Sequence, residues 1–203
     1  MPKKNGRNTK GRIVSAAWKL FYEQGYDNTT VEDIIAQSQT SKGSFYHYFE
    51  GKDALLGSLS MIFDEKYEEL KEQMDPDTDA VEALIYLNRE LFTMIDDGVS
   101  MELLARLLST QLVTKGEKHL LDRSRTYFKL LLQIVRTGQR RGELRGDITA
   151  NEIVKAYAMF ERALLYDWCL SEGEYALSKY AAVMMPMFLG GYRAAAQEKI
   201  KIV

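Results

Sequence analysis

Three features of the sequence predict an all-α fold. Apolar residues recur every three or four positions, no run carries the alternation of a strand, and only three prolines occur in 203 residues. The elements follow in order. Ile13, Ala16, Ala17, Leu20 and Phe21 form one helical stripe, and Gly25 is a suitable left-handed terminator. Thr30 stands three residues ahead of Asp33, the spacing of a capping box, so a short helix begins at Val31 and turns Val31, Ile34 and Ile35 inward. Ser38-Gln39-Thr40 ends it, and a second short helix runs over about Ser41 to Phe49. Past Glu50-Gly51 a long helix is expected from Lys52 to about Met74. Further helices are expected near 78–97, 100–114, 119–141, 149–171 and 175–199, about nine in all. Asp75-Pro76-Asp77, Asp96-Asp97-Gly98 and Arg145-Gly146-Asp147 separate some of them.

Composition narrows the function classes. Apolar residues at 46% and charged residues at 28% are ordinary for a soluble globular chain. No stretch approaches the roughly 18–20 apolar residues of a membrane span, and the N-terminus lacks a signal-peptide core. The single cysteine, Cys169, cannot form an internal disulfide, so a cytoplasmic location without membrane contact is expected. His47 and His119 lie far apart without thiols beside them, so neither a metal nor a cofactor is expected. No glycine-rich phosphate loop has the required strand before it, Cys169 has no neighbouring base, and Glu68-Glu69 and Asp96-Asp97 read as solvated helix faces or ends. The chain is not expected to be an enzyme. Net charge is only −2, yet residues 1–52 carry eight Lys/Arg against five Asp/Glu. Lys3, Lys4, Arg7, Lys10 and Arg12 precede every carboxylate. Such an arm either attracts phosphates or serves as a solubilising tail.

Residues 30–49, TVEDIIAQSQTSKGSFYHYF, carry the strongest signal. Two short helices joined by a tight polar turn, after a longer amphipathic helix, have the layout of a helix-turn-helix unit. On a helical wheel Phe45 and Phe49 coincide and should pack inward, which leaves Gly43, Ser44, Tyr46 and His47 on the opposite half, with Lys42 in the first turn. Those groups suit base edges and phosphates; the alternative is that Tyr46, His47 and Tyr48 are ordinary partly buried aromatics. Here the chain resembles the TetR family of bacterial transcriptional repressors. The resemblance rests on Gly25-Tyr26, Thr29-Thr30-Val31, Ile34, Thr40-Ser41-Lys42-Gly43, Phe45-Tyr46-His47-Tyr48-Phe49 and Lys52-Asp53-Ala54-Leu55-Leu56, and spans about residues 9–60. It implies that Thr30, Tyr46 and Lys52 contact phosphates and that Lys42, Gly43, Ser44, His47 and Tyr48 belong to a recognition helix. Gln39 departs from the family, which usually has glycine at that point of the turn. In a left-handed conformation a non-glycine there costs about 1 kcal/mol.

The remaining helices suggest assembly and sensing. Ile153, Tyr157, Phe160, Leu164 and Trp168 make one apolar stripe, and Val154, Ala158, Leu165 and Cys169 a second beside it. Tyr180, Val183, Met184, Met185, Met187, Phe188, Leu189 and Tyr192 leave the last helix little polar face. Such surplus fits either a subunit interface or two central core helices. The family resemblance implies the former, a homodimer through the last two helices, with Tyr157, Leu165, Met184, Met187 and Phe188 as the expected contacts. Asn88 and Glu161 sit on apolar faces, where a carboxylate needs a partner. Both readings stay open for them: a structural hydrogen bond, or a ligand site shared with Phe92, Met101, Tyr127, Phe128 and Trp168. The expected division is a basic arm and DNA-binding domain over 1–52, then a ligand-sensing and dimerisation domain over 53–203. The expected function is a ligand-responsive repressor of a palindromic double-stranded DNA operator, with a small, mostly apolar effector. The alternatives are a ligand-independent DNA organiser, or a small-molecule carrier or enzyme on this fold.

Overall fold

The structure is a computed structural model; it describes residues 4–113, 115 and 118–195, with side chains from Thr9 onward. It is all-α, as expected: α1 (Lys4–Gln24), α2 (Val31–Ser38), α3 (Lys42–Tyr48), α4 (Lys52–Leu56), α5 (Leu59–Gln73), α6 (Ala80–Gly98), α7 (Met101–Val113), α8 (Thr126–Arg141), α9 (Ala150–Leu170) and α10 (Leu177–Gly190). A single 3₁₀ turn covers His119–Leu121, and among the described residues the sole extended pairing is an isolated bridge between Leu144 and Arg193. Lys3 and the side chains of Lys4 and Arg7 from the expected basic arm lie outside the described residues, as does the expected helical continuation from 196 to 199. The backbone is helical from Lys4, well before the first apolar stripe residue Ile13.

Three helix boundaries differ from expectation: the last helix, expected over 175–199, already ends at Gly190, and residues 191–195 are not helical. The long helix expected from Lys52 is broken between α4 and α5 at Gly57-Ser58. Ser58 turns its hydroxyl back onto the Leu55 carbonyl and accepts the Trp18 indole N–H at 2.7 Å, while the His119 ring lies where a side chain on Gly57 would begin. The segment before Thr126 is likewise separate from α8, because Arg125 is extended (ψ 148) and forks onto Asp64 at 2.9 and 3.1 Å.

The chain gathers into two compact units. The first holds α1 to α4, the start of α5 up to Ile62, and Val99–Leu121 with α7; the second holds Phe63–Gly98 and the chain from Asp122 onward. In the first unit α1 packs on α2 and α3 through Ile13, Ala17, Phe21, Ile34 and Phe45, each buried. In the second, α6 packs against α8 and α10, and α9 against α8 and α10. The α6–α8 approach is set by Gly138: a Cβ there would lie 2.4 Å from the Ala80 Cβ, an overlap that would cost about 1–3 kcal/mol to relieve. Helix ends in this unit are closed by distant carboxylates. Glu143 accepts the Ala80 N–H at 2.8 Å, and Asp96 accepts those of Leu177 and Ser178 at 3.1 and 2.8 Å.

Candidate functional site

The first unit presents a short exposed helix on a firmly fixed base. Gly25 (φ +83) ends α1, and Thr29 donates its hydroxyl to the Gly25 carbonyl at 2.8 Å. Thr30 caps α2 reciprocally: its Oγ1 accepts the Asp33 N–H at 3.1 Å, and the Asp33 carboxylate accepts the Thr30 N–H at 2.9 Å. The Thr30 bonds hold the Asp33 carboxyl below its ordinary range. Gln39 is left-handed at φ 52, ψ 45, the conformation the turn requires. Arg12 compensates. Its guanidinium bonds the Ser38 carbonyl at 2.6 and 3.0 Å and also the Gln39 carbonyl, which satisfies the open end of α2. Arg12, counted in the sequence as part of a phosphate-attracting arm, is therefore occupied in the fold.

Ser41 caps α3, and its Oγ accepts the Ser44 N–H at 3.0 Å. Phe45 is fully buried and Phe49 nearly so, which fixes which face of α3 looks outward. Lys42, Gly43, Tyr46 and His47 are exposed, while Ser44 and Tyr48 are half-buried. The Ser44 hydroxyl lies 2.9 Å from that of Ser41, and the His47 and Tyr48 rings meet edge to face at 4.7 Å. Lys42 pairs loosely with Glu32 at 3.4 Å, both well exposed, a contact worth at most about 1 kcal/mol and readily exchanged. Lys52 is tied more firmly: its ammonium donates to the Tyr26 carbonyl at 2.8 Å and lies 4.3 Å from the centre of that ring.

Tyr26 anchors a cluster that sequence reasoning missed. Its hydroxyl donates to Asp53, and burial together with that carboxylate pushes its pKa well up. Arg106 of α7 lies over the same ring at 4.8 Å and bonds Asp27 at 2.6 Å and Glu102 at 3.1 Å. No local pattern marks Arg106, which meets Asp27 across 79 residues.

In the second unit the two awkward polar residues meet. Glu161 of α9 is fully enclosed, accepting the Asn88 amide N–H at 2.9 Å and the Tyr127 hydroxyl at 2.5 Å. Tyr157, one turn earlier on α9, donates its hydroxyl to the Leu84 carbonyl at 2.9 Å. Tyr67 of α5, unmarked in the sequence, lies ring to ring with Tyr127 at 5.1 Å, and its buried hydroxyl has no hydrogen-bond partner among the described residues. Burial raises the Glu161 pKa above its ordinary 4.5, against the bonds from Asn88 and Tyr127, the nearby Tyr157 hydroxyl and the charge of Arg162. Of the other residues expected to line a ligand site, Phe92 and Phe128 are buried on α6 and α8, and Trp168 is buried with its indole N–H on the Tyr175 carbonyl at 2.9 Å. Met101 is half-buried on α7 in the first unit.

The expected interface residues divide. Tyr157 and Leu165 are buried within their own unit; a helical wheel shows the width of an apolar face but not which part of it meets the core. Met184 and Phe188 are half-buried, the latter stacked on Phe160 at 4.3 Å, and Met187 is 70% exposed. The outward apolar residues are Met159, Tyr166 and Leu170 on α9 and Tyr180, Val183 and Met187 on α10. Each set follows three- or four-residue spacing, or its sum, along one face.

Residues 13–59 match the family model described as bacterial regulatory proteins, tetR family. Over 88 residues the chain is 33% identical to the HTH-type transcriptional regulator QacR of Staphylococcus aureus, covering 42% of this chain and 47% of that protein. It is 40% identical to the HTH-type transcriptional regulator HbdR of an Aromatoleum species over 37% of this chain and 33% of the relative. These matches thus span a third to about half the length of those relatives. The whole fold is similar to that of Thermus thermophilus FadR, a TetR-family transcriptional repressor solved with lauroyl-CoA, at a TM-score of 0.74, with 22% identity over 90% of this chain and 94% of that one. Among the described residues no helix is long and apolar enough to cross a membrane.

The Glu161 pKa has a sign that can be measured. Below about pH 4.5 the carboxyl is protonated in folded and unfolded chains alike. As pH rises the unfolded chain loses this proton first, so folding stability falls until the folded pKa is passed. Glu161→Gln should therefore gain stability over the parent as pH rises through that window and hold a constant difference above it. Denaturant unfolding over a pH series reads this directly, and a difference independent of pH would contradict the assignment.

Proposed function

We propose that this chain, whose residues 13–59 match the family model of bacterial regulatory proteins, tetR family, is a homodimeric, cytoplasmic regulator that binds a palindromic operator and is released by a small ligand. The observation that carries the DNA-binding part is the outward face of α3. Lys42, Gly43, Tyr46 and His47 stand exposed on a helix whose Phe45 is wholly buried. A Cβ on Gly43 would meet only the Ser41 Oγ at 4.0 Å, and without one the backbone can approach a groove closely. Thr30, Tyr46 and Lys52 take phosphates; Lys42, Gly43, Ser44, His47 and Tyr48 face the bases. Residues 1–52 form the DNA-binding domain and 53–203 the sensing and pairing domain.

The DNA reading is tested by Tyr46→Phe with Lys42→Ala, both exposed and lightly held, so folding is spared. Specific binding should weaken about tenfold or more, through the lost phosphate hydrogen bond of Tyr46 and the lost base contact of Lys42. Parental affinity in the folded double variant would sink the proposal.

Pairing rests on the apolar ridges of α9 and α10. A second copy, related by a twofold axis, would cover Met159, Tyr166, Val183 and Met187 and space the two headpieces for half-sites one helical turn or more apart. Met187→Glu should turn a dimer into monomers in sedimentation at micromolar concentration. A parent that is already monomeric there removes the pairing.

The effector site centres on Glu161, Asn88 and Tyr127, flanked by Phe92, Phe128 and Trp168. The Thermus thermophilus relative was solved with lauroyl-CoA, which makes long apolar chains with a polar head sensible first compounds to screen. An effector releases DNA only by binding the low-affinity state better than the DNA-bound one. A coupling of about 1–3 kcal/mol corresponds to roughly 5- to 150-fold weaker operator binding. Titrations in both orders should return the same factor, and a ligand displaced by Glu161→Gln that leaves operator affinity unchanged refutes the switch. Robust operator binding without any effector would favour a ligand-independent DNA organiser.

A further inference from the structure

The geometry points to a second ligand site: the outer face of α8 takes the phosphate groups of an organic polyphosphate. It does not depend on the effector reading, since the groove lies on the exposed side of α8, opposite the residues that α8 buries. Beside that face runs a groove of about 800 Å³, lined on the helix by Lys129, Leu132, Arg136 and Arg140 and across from it by Ile148 and Thr149. The inner side of α8 is spent on the core through Phe128, Leu131, Ile134, Val135 and Gly138.

Charge on α8 is one-sided. The helix holds Lys129, Arg136, Arg140 and Arg141 and no carboxylate. Arg141 is committed to the Pro76 carbonyl at 3.0 Å and to Asp77 at 3.4 Å. The other three line the groove, and among the described residues none of them has an ion pair within 4 Å. The carboxylates of the neighbouring segments have other partners, although Glu68 also feels the charge of Lys129. Asp147 is held by both arms of Arg145, Glu152 closes the capping box of Thr149, and Glu68 accepts from Thr126 at 2.9 Å and pairs with Lys71. Arg140 donates to Thr137 at 3.0 Å through one nitrogen and keeps its remaining donors.

This arrangement costs the helix stability unless something outside offsets it. Of the three cations that line the groove, only Arg140, in the last turn, is favoured by the helix dipole. Lys129 sits in the first turn, where a positive charge is disfavoured, and Arg136 and Arg140 are like charges four residues apart. A bound polyanion reverses both penalties. Arg136 and Arg140 lie about 6 Å apart along the axis and Lys129 about 10 Å further back, a span that a chain of phosphates can bridge. Guanidinium forks match phosphate oxygens in pairs. Leu132 and Ile148, half-buried beside the cations, supply apolar surface for an organic portion.

The test is calorimetric titration of the full-length protein at low ionic strength with ATP, inorganic tripolyphosphate and adenosine. ATP should bind, and Arg136→Ala with Arg140→Ala should weaken it roughly tenfold or more, while Arg89→Ala on α6 leaves it unchanged. The charged side chains are exposed, so the thermal midpoint of the double variant should hold or rise, which separates a binding defect from a folding defect. Tripolyphosphate binding as well as ATP assigns recognition to the phosphate chain alone, and weaker tripolyphosphate binding assigns part of it to the organic portion. Adenosine binding as well as ATP overturns the proposal. So does the absence of binding by either polyphosphate at millimolar concentration, or binding that the double variant does not diminish.

Discussion

A helix of seven residues cannot hold itself in water, because nucleating one turn costs more than a few hydrogen bonds return. Everything α3 presents therefore depends on what surrounds it: the buried pair Phe45 and Phe49 beneath, the Ser41 cap in front, and the turn that Arg12 stabilises from α1. The turn is the weakest of these by its own chemistry, since Gln39 occupies a left-handed conformation that favours glycine. Arg12 meets this strain with charge-assisted bonds to two carbonyls, so a residue that reads as a free cation is spent on orientation. Tyr26 fixes the following segment in the same spirit, with Lys52 at its carbonyl and ring, Asp53 at its hydroxyl and Arg106 over its face.

The second unit concentrates its polarity rather than avoiding it. A buried carboxylate without a cation in contact is expensive, and raising its pKa lowers that expense by keeping the proton. Asn88, Tyr127 and Tyr157 then form a closed arrangement around Glu161, with Tyr67 beside it as a hydroxyl still lacking a partner among the described residues. Partly satisfied polar groups inside an apolar shell are tolerated poorly by a purely structural core. The cluster around Glu161 holds such a group in the Tyr67 hydroxyl.

Local signals are legible in the sequence and distant ones are not. Gly25, the Thr30–Asp33 box and the wheel of α3 announce the headpiece, because caps and periodicity are written within a few residues of where they act. The break at Gly57-Ser58 escapes such reasoning because its causes, Trp18 and His119, come from elsewhere in the chain. Asn88 and Glu161 are each conspicuous as polar residues on apolar faces, yet their meeting across 73 residues needs the fold. Tyr157 shows the limit of amphipathic analysis. A face broad enough for two neighbours does not say which of them is the protein's own core, and the outward ridge lies instead at Met159, Tyr166 and Leu170.

The family match ends at residue 59, whereas the first compact unit also takes in Val99–Leu121, after an excursion through the whole of α6. Inheritance and folding have drawn different boundaries in this chain. Arg106, which covers the Tyr26 ring and grips Asp27, lies on the far side of that excursion. A graft cut at residue 59 would carry α3 into a new host without one of the supports that hold the segment after Tyr26. Transplanting this unit is thus a matter of moving a discontinuous module, or the recipient must supply its own cation above that ring.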